Sequence, residues 1–300
     1  HLKRINVPVK AISAPLLQAY EQYCMELEYL DFSGWYYYAV MDISQFASLF
    51  SRVKSLRAET SSFVDAIARS SIITVSASFV NLEEIILMSN TNTWKLDVLG
   101  QIAPVCRKLK HMEIPCHGIE KTESNSKLTD YNCTAQMVDI IQNNPHLEYI
   151  DMDRLEWATD EAIHIMSRSC PNLSYINIYS FYGHSTESIV ALAEGCHYLE
   201  VIIGLGGAAL GDEAFIALGA HCRKLRQITV TNGLAASDHA LKYLFLACCR
   251  LNVFKANSMM SNEVISRILE VTKSINTAWN RNILFERSTF TPAWFSNSHD

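Results

Sequence analysis

The chain has 300 residues, of which 49% are hydrophobic and 19% charged, with a net charge of −6; that is enough apolar material for one large core or two ordinary ones. It offers no dense basic face to grip a nucleic-acid backbone, and no apolar stretch approaches the ~20 residues that span a bilayer, so neither nucleic acid nor a membrane is expected as a partner. Its nine cysteines are an odd set without a C-x-x-C pair, which argues against a secreted disulfide framework and for reduced thiols in the cytoplasm or nucleus.

The first residues, HLKRINVPVK, lack a signal peptide's apolar core and open directly on a strand pattern. The chain therefore reads as a fragment of a longer one. From Leu2 onward a pattern L-x-x-L-x-L, with aliphatic substitutions, keeps returning. It occurs as Leu2-Ile5-Val7, Leu27-Leu30-Phe32, Val53-Leu56-Ala58, Leu82-Ile85-Leu87 and Leu109-Met112-Ile114. It continues as Leu147-Ile150-Met152, Leu173-Ile176-Ile178, Leu199-Ile202-Gly204, Leu225-Ile228-Val230 and Leu251-Phe254-Ala256. These ten copies start 25, 26, 29, 27, 38, 26, 26, 26 and 26 residues apart.

Each copy predicts a short strand, and a helical pattern follows it. TDEAIHIMSRSC, TESIVALAEGC, DEAFIALGAHC and SDHALKYLFLACC repeat apolar residues at three and four, so one helix face is buried. Thr159-Asp160, Ser185-Thr186, Asp212 and Ser237-Asp238 stand where side-chain oxygens can accept first-turn N–H groups as N-caps. A strand and a helix in about 26 residues is the range of leucine-rich repeats, in which stacked units share one continuous core. The predicted fold class is α/β: a leucine-rich-repeat solenoid of about ten units, an arc with a parallel concave sheet and the helices outside. The repeat domain is expected over residues 1–275.

Cys24, Cys106, Cys170, Cys196, Cys222 and Cys248 all lie three residues before the first aliphatic of a unit. That is the corner where a helix turns into the core, and a small soft thiol fits it; Phe50 and Phe79 take the same slot in two other units. Evenly stacked thiols sit apart rather than converge as metal ligands must, so no metal is expected. Asn132 and Asn172 each start a glycosylation sequon, but neither is expected to carry sugar.

Strand side chains alternate, so the residues between the aliphatics face solvent on the concave side. This places Tyr29 and Asp31, His111 and Glu113, and Tyr149, Asp151 and Asp153 on that face. Tyr175, Asn177 and Tyr179 follow, then Val201, Ile203 and Leu205. Tyrosine anchors interfaces with large area and few rotors, neighbouring carboxylates suit a basic segment, and the last three make an exposed apolar trio. These thirteen residues are the candidate partner-binding set.

The interval after Leu109 is twelve residues longer than 26, and the extra sequence falls in a polar loop at about 115–131. Residues 276–300 break the repeat and are rich in aromatics, with Trp279, Phe285, Phe290, Trp294 and Phe295 among them. They are expected to cap the last open core or to fold onto the apolar unit. Gly204, Gly206 and Ala209 mimic a dinucleotide fingerprint, but no acidic residue ends the following strand and the segment sits in repeat register. His111, His164 and His221 form no triad pattern. No enzyme activity is expected.

The pattern C-x-x-L-x-x-L-x-L followed by a T/S-D helix start, clearest over 147–256, resembles the cysteine-containing leucine-rich repeats of F-box proteins. The resemblance covers the repeat region only, and no F-box cluster stands before Leu2. It implies a non-catalytic substrate-recognition module of an SCF-type, cullin–RING ubiquitin ligase, holding a protein substrate on the concave face. An adaptor and cullin would bind through an F-box upstream of this chain. Plant hormone receptors of that family hold inositol phosphate in a basic concave pocket; the concave residues here do not repeat that chemistry, so no cofactor is expected. A monomer is expected. The alternative is a leucine-rich scaffold or inhibitor outside the ligase system.

Overall fold

The computed structural model describes residues 2–6, 14–32, 43–58, 72–87, 100–114, 134–151, 158–179, 184–206, 210–231, 234–257 and 260–288. Val7, Asp153, the loop at 115–131 and the aromatics Phe290, Trp294 and Phe295 lie outside the described residues. The chain divides into two compact units, residues 1–119 with 135–153 and residues 120–134 with 154–300.

The first unit runs β1 (Arg4–Asn6), α1 (Ala14–Tyr23), β2 (Tyr29–Phe32), a 3-10 turn (Ile43–Phe46) leading into α2 (Ala47–Phe50), β3 (Ser55–Ala58), α3 (Ile72–Ser78), β4 (Glu84–Leu87), β5 (His111–Glu113), α4 (Thr134–Asn143) and β6 (Tyr149–Asp151). The second runs α5 (Asp160–Ser169), β7 (Tyr175–Asn177), α6 (Thr186–Gly195), β8 (Val201–Leu205), α7 (Asp212–His221), β9 (Gln227–Val230), α8 (Asp238–Ala247), β10 (Val253–Asn257), α9 (Asn262–Trp279) and β11 (Leu284–Ser288). Within each unit successive strands pair in parallel, in chain order. Each unit is thus a leucine-rich-repeat solenoid.

The register explains the aliphatic pattern. Ile5, Leu30, Leu56, Ile85, Met112 and Ile150 are successive partners in the first unit. Ile176, Ile202, Ile228, Phe254 and Phe285 are in the second. One row of core side chains is built from one position of each repeat, and all but Phe285 are buried. Each such side chain contributes about 1.5–3 kcal/mol on burial, but only when a neighbouring repeat covers it.

The helices start as the sequence predicts, with one shift. Thr159, Ser185 and Ser237 are N-caps whose hydroxyls accept from the N–H of Ala162, Ser188 and Ala240. Asp212 is instead the first residue of its helix, and Gly211 is the cap. The Asp212 carboxylate reaches the next repeat and accepts from the Ser237 N–H and hydroxyl at 2.5 and 2.7 Å. Asp160 accepts likewise from the Ser185 N–H at 3.0 Å, and Thr186 from the Gly211 N–H at 3.1 Å. A cap residue's own N–H has no partner in its helix; here the preceding repeat supplies it.

The helix ends answer to the cysteines. Cys170, Cys196, Cys222 and Cys248 are the C-caps of α5, α6, α7 and α8, and all four are buried. The Cys196 thiol points at the Cys170 carbonyl at 3.4 Å, Cys222 at the Cys196 carbonyl at 3.6 Å, and Cys248 at the Cys222 carbonyl at 3.5 Å. A weak donor on each repeat thereby adds a second, lateral bond to a carbonyl on the one before, which already accepts the N–H of Leu173, Leu199 or Leu225. Burial pushes the Cys170, Cys222 and Cys248 thiols up to about 12, so they stay protonated donors. Arg281 ends the ladder, donating to the carbonyls of Cys248 and Leu251, each at 3.0 Å, and of Phe245 at 2.9 Å.

Asn144 holds this slot in the first unit. Its Nδ2 donates to the Cys106 carbonyl at 2.8 Å and to the Ile140 carbonyl at 2.9 Å, while its Oδ1 accepts from the Leu109 N–H at 2.8 Å. Phe50 and Phe79 fill the slot by packing edge to face, with ring centroids 5.8 Å apart. Past residue 275 the repeat continues: α9 crosses that position and β11 pairs with β10 over five residues.

Candidate functional site on the open strand faces

The side of each strand layer away from the core carries two rows per unit. In the first unit one row is Arg4, Tyr29, Ser55, Glu84, His111 and Tyr149, and the other Asn6, Asp31, Arg57, Ile86, Glu113 and Asp151. Row neighbours sit about 4.8 Å apart, so side chains there meet. The Arg4 guanidinium lies 4.3 Å above the Tyr29 ring. Asp31 accepts from Asn6 Nδ2 at 3.0 Å and from the Tyr29 hydroxyl at 3.4 Å. The Ser55 hydroxyl donates to Glu84. The His111 and Tyr149 rings stack in parallel, centroids 4.0 Å apart, and His111 Nε2 faces the Glu113 carboxylate at 3.6 Å. Tyr29, His111, Glu113, Tyr149 and Asp151 are all half-buried, whereas Asp31 is only 6% exposed.

In the second unit the rows are Tyr175, Val201, Gln227, Val253 and Leu284, and then Asn177, Ile203 beside it, with Thr229, Lys255 and Glu286 following. Tyr175, Tyr179, Val201 and Ile203 are half-buried. Asn177 is 5% exposed, and its Oδ1 accepts from the Tyr179 N–H at 3.1 Å. It shapes the strand end more than it offers surface. Leu284 is 51% exposed.

One predicted face residue is on the wrong side. Leu205 is fully buried. The pairing of β8 with β9 slips between Ile202 and Leu205, so that Leu205, not Gly204, partners the inward Val230. An extra residue in one strand turns every later side chain over. Gly204 makes the bulge with φ +83, and a Cβ there would lie 2.4 Å from the Tyr179 Cα. Gly204, one of the residues that mimic a dinucleotide fingerprint, therefore serves a strand kink, and the exposed apolar trio shrinks to Val201 and Ile203.

The structure brings together Tyr29 with Asp31, and His111 with Glu113 and Tyr149. It also adds face residues that the reading of individual repeats passed over, namely Arg4, Asn6, Ser55, Arg57, Glu84, Val253 and Lys255. Their signal was available: they occupy the same positions relative to the aliphatics as the residues chosen. A second signal is the sign alternation of Lys3, Glu28, Lys54, Glu83, Lys110 and Glu148, each one residue after the first aliphatic. It produces the ion pairs Glu28–Lys54 at 3.0 Å and Glu83–Lys110 at 2.8 Å. Hydrogen bonds from those lysines hold the Glu28 and Glu83 carboxyls below the ordinary carboxylate value. Among the described residues no cluster of three or more His, Cys, Asp or Glu is placed to hold a metal ion, and no helix is long and apolar enough to cross a membrane.

No protein-family model matches the sequence, and no curated protein does. Among solved structures the chain is similar to one from the Rad7–Elc1 complex in yeast, at 15% identity and a TM-score of 0.48, over 87% of this chain and 78% of that one. It is also similar to the leucine-rich repeat-containing protein LegL7 from Legionella pneumophila, at 11% identity and a TM-score of 0.29, over 89% of this chain and 87% of that one. The fold assignment rests on the repeat geometry itself: one strand position per repeat in register, and one helix corner per repeat closed by a thiol, an amide or a phenyl ring.

Proposed function

We propose that this chain is a non-catalytic module that holds a protein on its open strand faces, as the substrate-recognition domain of an F-box protein in an SCF-type ubiquitin ligase. The observation that carries the binding role is the set of half-buried side chains at solvent-facing strand positions: tyrosine, histidine and carboxylate in the first unit, tyrosine and aliphatics in the second. Such side chains offer area already desolvated in part and ordered by the sheet, which lowers the cost of docking. The ligase role is supported by the resemblance of the cysteine-bearing repeats, and it implies an adaptor and cullin bound through an upstream F-box, in the cytoplasm or nucleus.

The test is affinity capture of the full-length protein with quantitative mass spectrometry, beside a Tyr149→Ala/Asp151→Ala variant and a separate Tyr175→Ala/Ile203→Ala variant. Cullin and adaptor should be recovered with all three, and one further protein should be depleted from at least one variant. With that protein purified, loss of an anchor residue should weaken binding by about 2 kcal/mol, roughly thirtyfold. Recovery of the protein partner without cullin or adaptor would replace the ligase reading with a scaffold or inhibitor. Undiminished binding by both variants would remove the strand faces as the site.

A further inference from the structure

The two rims of the second unit differ in charge. Where helices start, the rim is acidic: Glu161, Glu187, Glu213 and Glu263 are each the second residue of α5, α6, α7 and α9, and all are exposed. Where helices end and strands begin, it is basic. Arg223, Lys224 and Arg226 follow the C-cap Cys222, Arg250 follows the C-cap Cys248, and all four are exposed. Cations suit a helix C-terminus through the backbone dipole. Arg223 fits that explanation, since its Nε donates to the Ala220 carbonyl in the last turn of α7 at 3.4 Å. Lys224 and Arg226 turn instead to the preceding repeat, where the Lys224 ammonium lies 4.0 Å from the centre of the Tyr198 ring and Arg226 faces Glu200 at 3.6 Å.

Tyr198, Lys224 and Arg250 hold one position in three successive repeats, two residues past the C-cap, so they form a row along the rim. The row ends at an aromatic. Thr272 takes the corner position of α9, and the helix runs seven residues past it to Trp279. Arg281, two residues on, donates to the carbonyls of Cys248 and Leu251, which flank Cys249 and Arg250. Trp279 is therefore on this rim as well, and it is 62% exposed.

We propose that this basic rim is a second docking surface, for an acidic protein segment that lies along Tyr198, Lys224 and Arg250 and carries an apolar residue for Trp279. Four exposed cations in a chain of net charge −6 make a local field that draws carboxylates. The glutamates of the other rim repel the same partner, which fixes where it lands. A nucleic acid fits less well. A salt-sensitive duplex binder commonly makes about six to ten phosphate contacts, more than these cations supply, and Glu200 stands among them. Lys224 already covers one face of Tyr198, the ring on which a base would stack. The rim lies beside the strand faces rather than on them, so the proposal is independent of what those faces hold.

The experiment reads fluorescence anisotropy of a labelled peptide of Glu-Glu-Leu repeats against the full chain, beside the same peptide with glutamine for glutamate. The acidic peptide should bind, more weakly as salt rises, and the glutamine peptide should not. Lys224→Glu and Arg250→Glu should each weaken binding about tenfold at low salt, and Trp279→Ala about fivefold. Lys242→Glu, an equal change of charge at an exposed site within α8, should leave binding unchanged. All four of these side chains are exposed, so the variants should fold. The Tyr175→Ala/Ile203→Ala variant should bind the peptide as the unaltered chain does; loss there would move the site to the strand faces and overturn the rim. No binding at low salt, or equal weakening by Lys242→Glu, would overturn it too. Tighter binding of a single-stranded oligonucleotide through Lys224 and Arg250 would make the occupant a nucleic acid instead. Self-association abolished by Lys224→Glu would make it the acidic rim of a second copy.

Discussion

In the first unit the polar side chains of the open strand face satisfy one another, whereas the same register positions of the second carry Val201, Ile203 and Val253 half-buried and Leu284 exposed. Arg4 on Tyr29, Asn6 with Asp31, Ser55 with Glu84, and His111 on Tyr149 are neighbours across adjacent strands, and Glu113 faces His111 along one strand. The helix corners differ as well. The first unit closes them with a half-buried Cys24, then Phe50, Phe79, Cys106 and Asn144, at uneven intervals; the second uses Cys170, Cys196, Cys222 and Cys248, 26 residues apart. An even period lets one small side chain make the same contact at every step. An uneven one requires a separate solution at each corner, and Asn144 is the most demanding, because all its bonds are made in a buried site.

Three substitutions sharpen that contrast. The largest effect is expected in the second unit from Gly204→Val. The positive φ is strained for any side chain, and the new Cβ collides with the Tyr179 backbone. Urea unfolding should show a loss of more than about 3 kcal/mol. Retained stability would mean that the bulge can relax into ordinary strand.

Next is Asn144→Leu in the first unit. It keeps the volume but strands the Leu109 N–H and the Cys106 carbonyl, each at about 1–3 kcal/mol, so unfolding should show a loss of about 2–5 kcal/mol. A neutral result would make the amide bonds incidental to packing. The smallest effect is expected from Cys196→Ala. A weak thiol bond and little volume are lost, so about 1–2 kcal/mol should be missing from the unfolding free energy. A cost equal to that of Asn144→Leu would show that thiol and amide corners are equally demanding, which would erase the distinction between the units.

The repeat was legible because its signal is covalent and local. Leu173, Ile176 and Ile178 predict an inward strand face from their spacing alone, and Thr159, Ser185 and Ser237 cap helices from their chemistry alone. The candidate face was legible for the same reason at Tyr29, His111, Tyr149 and Tyr175. It failed at Leu205 because a bulge depends on which residue of one strand opposes which of the next, and at Asp212 because its partner, Ser237, lies one repeat away.

The sequence by itself determined the repeat, the strand that begins after each first aliphatic, and the residue type at every helix corner. Those follow from alternation along a strand and from the capping of a single helix end. Only the tertiary structure decided which polar groups satisfy each other: the thiol ladder ended by Arg281, the amide of Asn144 across two repeats, and the stacked His111 and Tyr149. These bonds join residues about 25 to 40 positions apart, and they exist only where stacked repeats bring into register groups that no single repeat could pair.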